Sequence, residues 1–309
     1  KLSEFVGYLI NNQPKLAKNL YHEIKDVYPI VLTRNISVSR QWLLNKARGS
    51  ELFGLVASSG ANRLRPEGVF VKAKISPVVN FLGGDIRSMD NIKNTPYDYI
   101  FHLAALSRIQ PSFQNPTLTF SVNVDGTKQV TEYAYHNKSK LIYAGSSSRH
   151  HNPMLSPYAL TKHMGEEWIK MFKGVYSLNA EIARFYNVYG PGELVDSNMA
   201  AVIGIWRNAI SKEEPILIHG DGEQRRDFTH IDDIVDGLIR IAETDEKHED
   251  AWELGTGCNY SLNELADMFG YSNIKYVNDV KGNYRKTLRL NNDAVERLNW
   301  KQTDKLKSY

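Results

Sequence analysis

The sequence predicts an α/β protein, a doubly wound parallel sheet followed by a smaller C-terminal lobe. Two observations carry that expectation. Short, continuously apolar, β-branched runs recur along the chain, and segments with helical spacing lie between them. Strands that are apolar on both faces belong in a parallel sheet covered by helices on each side. A third observation sets the boundary. Beyond Asn187 the alternation loosens into Gly/Pro-rich loops, Gly190-Pro191-Gly192 and Gly220-Asp221-Gly222.

The elements follow in order. Residues 2–27 read as helix, with Phe5, Val6, Leu9 and Ile10 on one face, Pro14 interrupting, and Leu16, Leu20, Ile24 and Val27 resuming the period. They make residues 1–28 an N-terminal helical extension. Ile30-Val31-Leu32-Thr33 is the first strand, a helix over 41–46 follows, and Leu52-Phe53-Gly54-Leu55-Val56 is the next strand. Further strands fall at 78–82, 99–103, 141–144 and 180–185, with helices over 118–136 and 157–172. Residues 29–187 then form one α/β domain. Residues 188–309 form mainly a smaller lobe, with segments around 229–256 returning to the first domain. In that lobe, helices are expected over 200–210 and 231–242. Ser261-Leu262-Asn263-Glu264 has the spacing of a capping box opening a helix through Met268.

Composition bounds the function. The 309 residues are 42% hydrophobic and 24% charged, which sets aside intrinsic disorder and fibrous repeats. Lys+Arg 38 against Asp+Glu 35 leaves a dispersed +3, so no nucleic-acid surface is expected. No apolar run approaches the roughly 20 residues of a membrane span. The single cysteine, Cys258, has no partner for an internal disulfide or a structural zinc site. Lys1-Leu2-Ser3-Glu4 lacks a basic-then-apolar leader pattern, and the expected location is cytoplasmic.

The chemistry concentrates in Ser156-Pro157-Tyr158-Ala159-Leu160-Thr161-Lys162. On a helix Tyr158 and Lys162 lie one turn apart on a shared face. An ammonium near a phenol stabilises the phenolate and lowers its pKa toward the range of a general base. The same spacing recurs at Tyr21/Lys25 and Tyr271/Lys275, where surface pairing explains it, so context decides. Ser146-Ser147-Ser148 supplies that context, ending the upstream strand with hydroxyls able to reach the oxygen that Tyr158 deprotonates.

With these residues the sequence resembles the extended short-chain dehydrogenases that act on nucleotide sugars, the NAD-dependent epimerase/dehydratase group. The resemblance runs from Pro29 to the C-terminus. It is carried by Gly84-Asp85-Ile86-Arg87, His102-Leu103-Ala104-Ala105, Asn123-Val124-Asp125-Gly126-Thr127, Arg184 through Gly192, and Gly220 through Phe228, in family order. It implies a Rossmann-type fold, NAD as cofactor with NADP as the alternative, and a nucleotide-diphosphate sugar as partner. Position by position, it implies Tyr158 as base, Lys162 as its partner and ribose ligand, and Ser147 as hydroxyl donor. Ser146 or Ser148 takes that last role if the register shifts by one. Thr33, Arg34, Ser37, Arg40, Asp85, Ile86, Ala104, Ala105 and Asn123 fall on the cofactor side. Ser107, Asn187, Asn198 and Arg226 fall on the substrate side, where a guanidinium fork suits a diphosphate. A homodimer is implied through helices 118–136 and 157–172, whose Val130, Tyr133, Trp168 and Met171 core packing explains equally well.

The chain departs from the pattern at several places. The Gly-x-x-Gly-x-x-Gly phosphate turn reads Arg34, Ser37 and Arg40 at its glycine positions. Two arginines there either neutralise a phosphate pair directly or mark a lost cofactor site. Val56 and Ala57 replace the acidic residue that would bind the adenosine ribose. Arg149-His150-His151 replaces the segment after the serines; neighbours cannot easily share one metal ion, so no metal is expected, and an exposed loop near the cleft is. The late arginine is replaced near Val280, with Arg285 as a substitute. No carboxylic acid follows Ser147, which removes the general acid that dehydration needs and favours 4-epimerisation. Reduction of a keto-sugar, or non-catalytic binding of a sugar nucleotide, is the alternative.

Overall fold

The computed structural model describes residues 54–56, 85–89, 97–191, 193–195 and 199–309. The N-terminal extension, the phosphate turn with Thr33, Arg34, Ser37 and Arg40, and Asn198 lie outside the described residues.

The chain runs through β1 (Gly54–Val56), β2 (Tyr99–His102), the short helices α1 (Ile109–Gln114) and α2 (Pro116–Phe120), and a π-helical turn (Ser121–Asp125) that leads into α3 (Gly126–Asn137). Then come β3 (Lys140–Ser146), α4 (Pro157–Tyr176), β4 (Ala180–Phe185), β5 (Asn187–Tyr189), α5 (Val202–Ser211) and β6 (Ile216–His219). Next are β7 (Arg225–Arg226), β8 (Phe228–His230), α6 (Ile231–Glu243), β9 (Trp252–Leu254), β10 (Tyr260–Ser261), α7 (Leu262–Phe269), β11 (Ile274–Val277) and α8 (Asp293–Leu298).

The central sheet has five strands in the order β1-β2-β3-β4-β9, and every pairing is parallel. Burial on both faces explains the continuous apolar runs. Along each strand neighbouring side chains go to opposite layers. Ile100, Leu141 and Ile182 pack under α3 and α4 with Val130 and Ile169. Phe101, Ile142 and Ala183 pack on the other side under α6 with Ile234, Leu238, Trp252 and Trp300. This is the α/β doubly wound arrangement that the sequence predicts. Val130 and Tyr133 belong to its core, and Trp168 and Met171 pack partly against it.

A second core serves the lobe. Tyr189, Ile203, Trp206, Ile216, Ile218, Phe228 and Leu265 join there, across α5, α7 and the small sheets β5-β8 and β6-β11. The capping box forms as its spacing predicts. Ser261 Oγ accepts from Glu264 N at 3.0 Å, while Glu264 Oε2 accepts from Ser261 N at 2.8 Å. Among the described residues no helix is long and apolar enough to cross a membrane, and no group of His, Cys, Asp or Glu could hold a metal ion.

One charged cluster interrupts the apolar layers. Arg184 on β4 is 2% exposed, and it forks onto Glu166 of α4 at 2.8 Å and Asp250 at 2.6 Å. Those bonds hold the Asp250 carboxyl below its ordinary range against the opposing effect of burial. Removing one partner of a buried pair leaves an uncompensated charge, which costs about 3–5 kcal/mol. Arg184→Ala is expected to lose stability of that order in urea unfolding, and Arg184→Met with Glu166→Leu is expected to recover most of it.

Candidate active site

The parallel strands deliver their C-terminal ends to one edge, and side chains singled out in the sequence gather there. β3 closes on Ser146, still extended at φ −142°, and Ser147 begins a 3₁₀ turn over Ser147–His150. A second short turn brings the chain to Ser156, whose Oγ accepts from Ala159 N at 3.1 Å and caps α4. Pro157 follows at the first helical position, where a missing N–H costs nothing. Tyr158 therefore stands at the start of α4, facing the end of β3.

Tyr158 OH donates to Ser146 Oγ at 3.1 Å, and Ser148 N donates to the same oxygen at 3.2 Å. The expected contact through Ser147 is thus corrected by one residue. Ser146 remains in the strand conformation that aims its hydroxyl at α4, whereas Ser147 has already entered the turn.

Lys162 sits one turn along α4 and is buried. Its Nζ donates to Tyr143 OH at 2.8 Å and to Ala144 O at 2.6 Å, and lies 4.2 Å from the Tyr143 ring centroid. No carboxylate stands within ion-pair distance among the described residues. Burial pushes the ammonium down to about 8, with Glu166 opposing. The expected lowering of Tyr158 by Lys162 is not what the geometry gives. Burial raises the Tyr158 phenol, and the Ser146 hydrogen bond and the nearby Arg108 guanidinium oppose that rise.

Arg108 is a residue that motif reading missed. Its guanidinium donates to Met199 O at 2.9 Å and Ser107 O at 3.1 Å, with no carboxylate partner among the described residues. An arginine three residues past the His102–Ala105 motif was the available signal.

Asn123 lies in the π-helical turn and works through its neighbours. Its Oδ1 accepts from Leu106 N at 2.8 Å, and its Nδ2 donates to Leu106 O at 3.1 Å and Thr161 Oγ1 at 3.0 Å. That clamp fixes the loop carrying Ala104, Ala105 and Ser107 against α4. Ile86 is buried where a Cβ on Gly126 would collide with it. Asp85 is held by Arg87, at 2.9 Å from Nε, which keeps its carboxyl below the usual range.

On the lobe side, Asn187 Nδ2 donates to Asp227 O at 2.9 Å and Thr287 Oγ1 at 3.1 Å, bracing β5 against the C-terminal segment. Arg226 is half-buried, and that burial lowers its guanidinium to about 10. It donates to Arg225 O at 2.9 Å and has no carboxylate partner among the described residues. Arg285, expected as the substitute arginine, is 66% exposed and pairs with Asp221 at 2.8 Å. The two histidines are not the exposed loop expected of them. His150 bonds the buried Glu253, and His151 stacks on Tyr284 with centroids 4.0 Å apart and planes 7° from parallel.

Ser146, Tyr158 and Lys162 stand together at one edge of a parallel α/β sheet, which gives the fold class. Comparison with known proteins makes it specific. Residues 39–255 match the NAD-dependent epimerase/dehydratase family, and the chain belongs to that family. A Methanocaldococcus jannaschii protein provisionally named UDP-glucose 4-epimerase is 31% identical over 214 residues, 64% of this chain and 69% of that one. The UDP-glucuronate 4-epimerase of Thermodesulfobacterium geofontis is 28% identical over 296 residues, 90% of this chain and 81% of that one. Among solved structures, MoeE5 in complex with UDP-glucuronic acid and NAD superposes with a TM-score of 0.72 at 25% identity, over 87% of this chain and 92% of that one. Relatives also include UDP-sugar decarboxylases.

NAD is the cofactor of the family, in agreement with the sequence expectation. The described part of the edge fits such a group. It presents an ammonium buried without a counter-ion, the small side chains of Ala104 and Ala105, and a loop already clamped by Asn123.

The Lys162 shift has a defined sign. The unfolded lysine keeps its proton up to the ordinary 10.5, so this group disfavours folding below about pH 8 and the penalty fades as pH rises between those values. Dimethyl-lysine NMR is expected to show one resonance titrating near pH 8, absent in Lys162→Met and moved to lower pH in Glu166→Gln.

Proposed function

We propose that the protein is a nucleotide-sugar 4-epimerase acting on a nucleoside-diphosphate sugar. The observation that carries this reading is the Tyr158–Ser146 hydrogen bond, one helical turn from the buried Lys162, with Ser147, Ser148 and Arg149 rather than an acid following Ser146. Dehydration needs a carboxylic acid to protonate a leaving hydroxyl, and this stretch offers none. The relatives named as 4-epimerases support the same choice.

In this reading Ser146 orients the sugar oxygen, and Tyr158 takes its proton. The phenolate that takes it, becoming the neutral phenol, is disfavoured by burial and favoured by the Ser146 hydrogen bond and the Arg108 cation. Bound NAD would supply reversible hydride-transfer chemistry at the sugar carbon. Lys162, Ala104, Ala105 and the Asn123-clamped loop would hold it. Tyr158 then gives the proton back once the keto-sugar has turned its other face. Arg226, unpaired with any carboxylate among the described residues, suits the diphosphate. The dimer implied by the resemblance belongs to this proposal as well, and exposed Tyr135 and Tyr176, in edge contact beside Phe172, offer a surface for it.

A second reading rests on Arg34, Ser37 and Arg40 at the phosphate turn: a sugar-nucleotide binder without cofactor. Mass spectrometry of the purified protein separates the two, because an epimerase carries or can be loaded with NAD(H) or NADP(H). Tyr158→Phe is expected to lower kcat at least 10²-fold at unchanged Tm, the usual worth of a general base. Ser146→Ala is expected to cost more than Ser147→Ala. Full activity in Tyr158→Phe would overturn the assignment.

A further inference from the structure

Lys162 is a buried cation with no carboxylate at ion-pair distance among the described residues. Strand β3 meets its ammonium instead, through Tyr143 OH at 2.8 Å and Ala144 O at 2.6 Å. The Tyr143 ring lies beside it as well, with its centroid 4.2 Å from Nζ. An ammonium carries three donors, so the strand takes two of them and one is left over.

The tyrosine hydroxyl has been given room. Tyr143 is 1% exposed, and a Cβ at Gly165 of α4 would lie 2.3 Å from its OH and 3.0 Å from Cζ. Burial raises the Tyr143 phenol, so it stays an O–H and meets the ammonium through a lone pair. The wall behind it is uncharged. His102 of β2 packs on the Tyr143 ring with centroids 5.4 Å apart. Thr127 Oγ1 gives its hydrogen to Asn123 O at 2.6 Å, so His102 Nε2, 2.9 Å from the same oxygen, carries the ring proton. Burial and the Lys162 charge hold His102 down to about 3, and it stays neutral. The titratable groups around the ammonium are therefore His102 from β2, Tyr143 from β3, and Tyr158 and Glu166 on its own helix. Of these Glu166 favours the charged lysine.

We propose that Tyr143 is a positioning residue for Lys162: its hydroxyl fixes the ammonium against β3 and leaves one N–H for a bound ligand, and Gly165 is the space that admits it. The inference concerns the protein without ligand. It rests on the epimerase reading only for its effect on turnover.

The test is NMR of the whole protein with its lysines isotope-labelled at Cε, which leaves every ammonium donor intact. Loss of one signal in Lys162→Met assigns the resonance that titrates near pH 8. Tyr143→Phe keeps the ring and its packing, and is expected to move that titration about one pH unit lower, the worth of a hydrogen bond to a charged group. Gly165→Ala is expected to move it in the same direction by displacing the hydroxyl. Adding Tyr143→Phe to Gly165→Ala is expected to raise Tm, because the hydroxyl is what the new Cβ strikes. Tyr189→Phe, a buried tyrosine of the lobe, is expected to leave the Lys162 titration where it was. An unchanged or higher titration in Tyr143→Phe overturns the inference, as does an equal shift in Tyr189→Phe or a further fall of Tm in the double variant. Failure of the protein to take up NAD(H) or NADP(H) overturns the proposed function, and this inference then stands or falls on the lysine titration alone.

Discussion

One buried carboxylate ties the sheet to its chemistry. Glu166 on α4 is 1% exposed and pairs with Arg184 from β4. It also opposes the loss of the Lys162 proton, lies 3.4 Å from Ser146 N, and reaches Arg149 at 3.8 Å. A charge so placed is expensive to desolvate and tolerable only while every partner is present. The strand that ends in Ser146, the helix that starts at Tyr158 and the turn between them are therefore set relative to one another by a single group. Gly165 lets that helix approach closely, since a Cβ there would strike the Tyr143 hydroxyl that receives Lys162.

Much of this was legible in the sequence, because local rules suffice for it. Strand β4 follows the apolar run over 180–185, and the capping box at Ser261 and Glu264 is decided within four residues. Tyr158 and Lys162 share a helix face by period alone. The rest required distance. Whether Ser146 or Ser147 meets Tyr158 depends on the residue at which β3 yields to a turn, which spacing does not report. Tyr284 meets His151 from the other end of the chain. Arg108 finds carbonyls at Ser107 and Met199 rather than a charge, so its role comes from packing.

The lobe contributes as much by bracing as by contact. Asp227 is fully buried, and its carboxylate accepts from Thr256 N at 2.8 Å, Gly257 N at 3.0 Å and Arg289 N at 3.1 Å. Asn187 donates to the carbonyl of the same residue. Such knots join the lobe to the sheet through main-chain groups, leaving Arg226 beside them free of any carboxylate among the described residues. Here backbone amides hold the scaffold.

The π-helical turn over Ser121–Asp125 has a consequence for how this segment tolerates change. It holds one residue more than an α-helix would need, and that extra residue sets the angle at which Asn123 meets Leu106 and Thr161. Deleting a residue there would close the bulge to a regular α-helix and move Asn123 away from Leu106 and Thr161. Conservative side-chain replacements along the turn can be absorbed one at a time. A change in the count cannot, so here the clamp on the Leu106 loop is written in chain length as much as in residue identity.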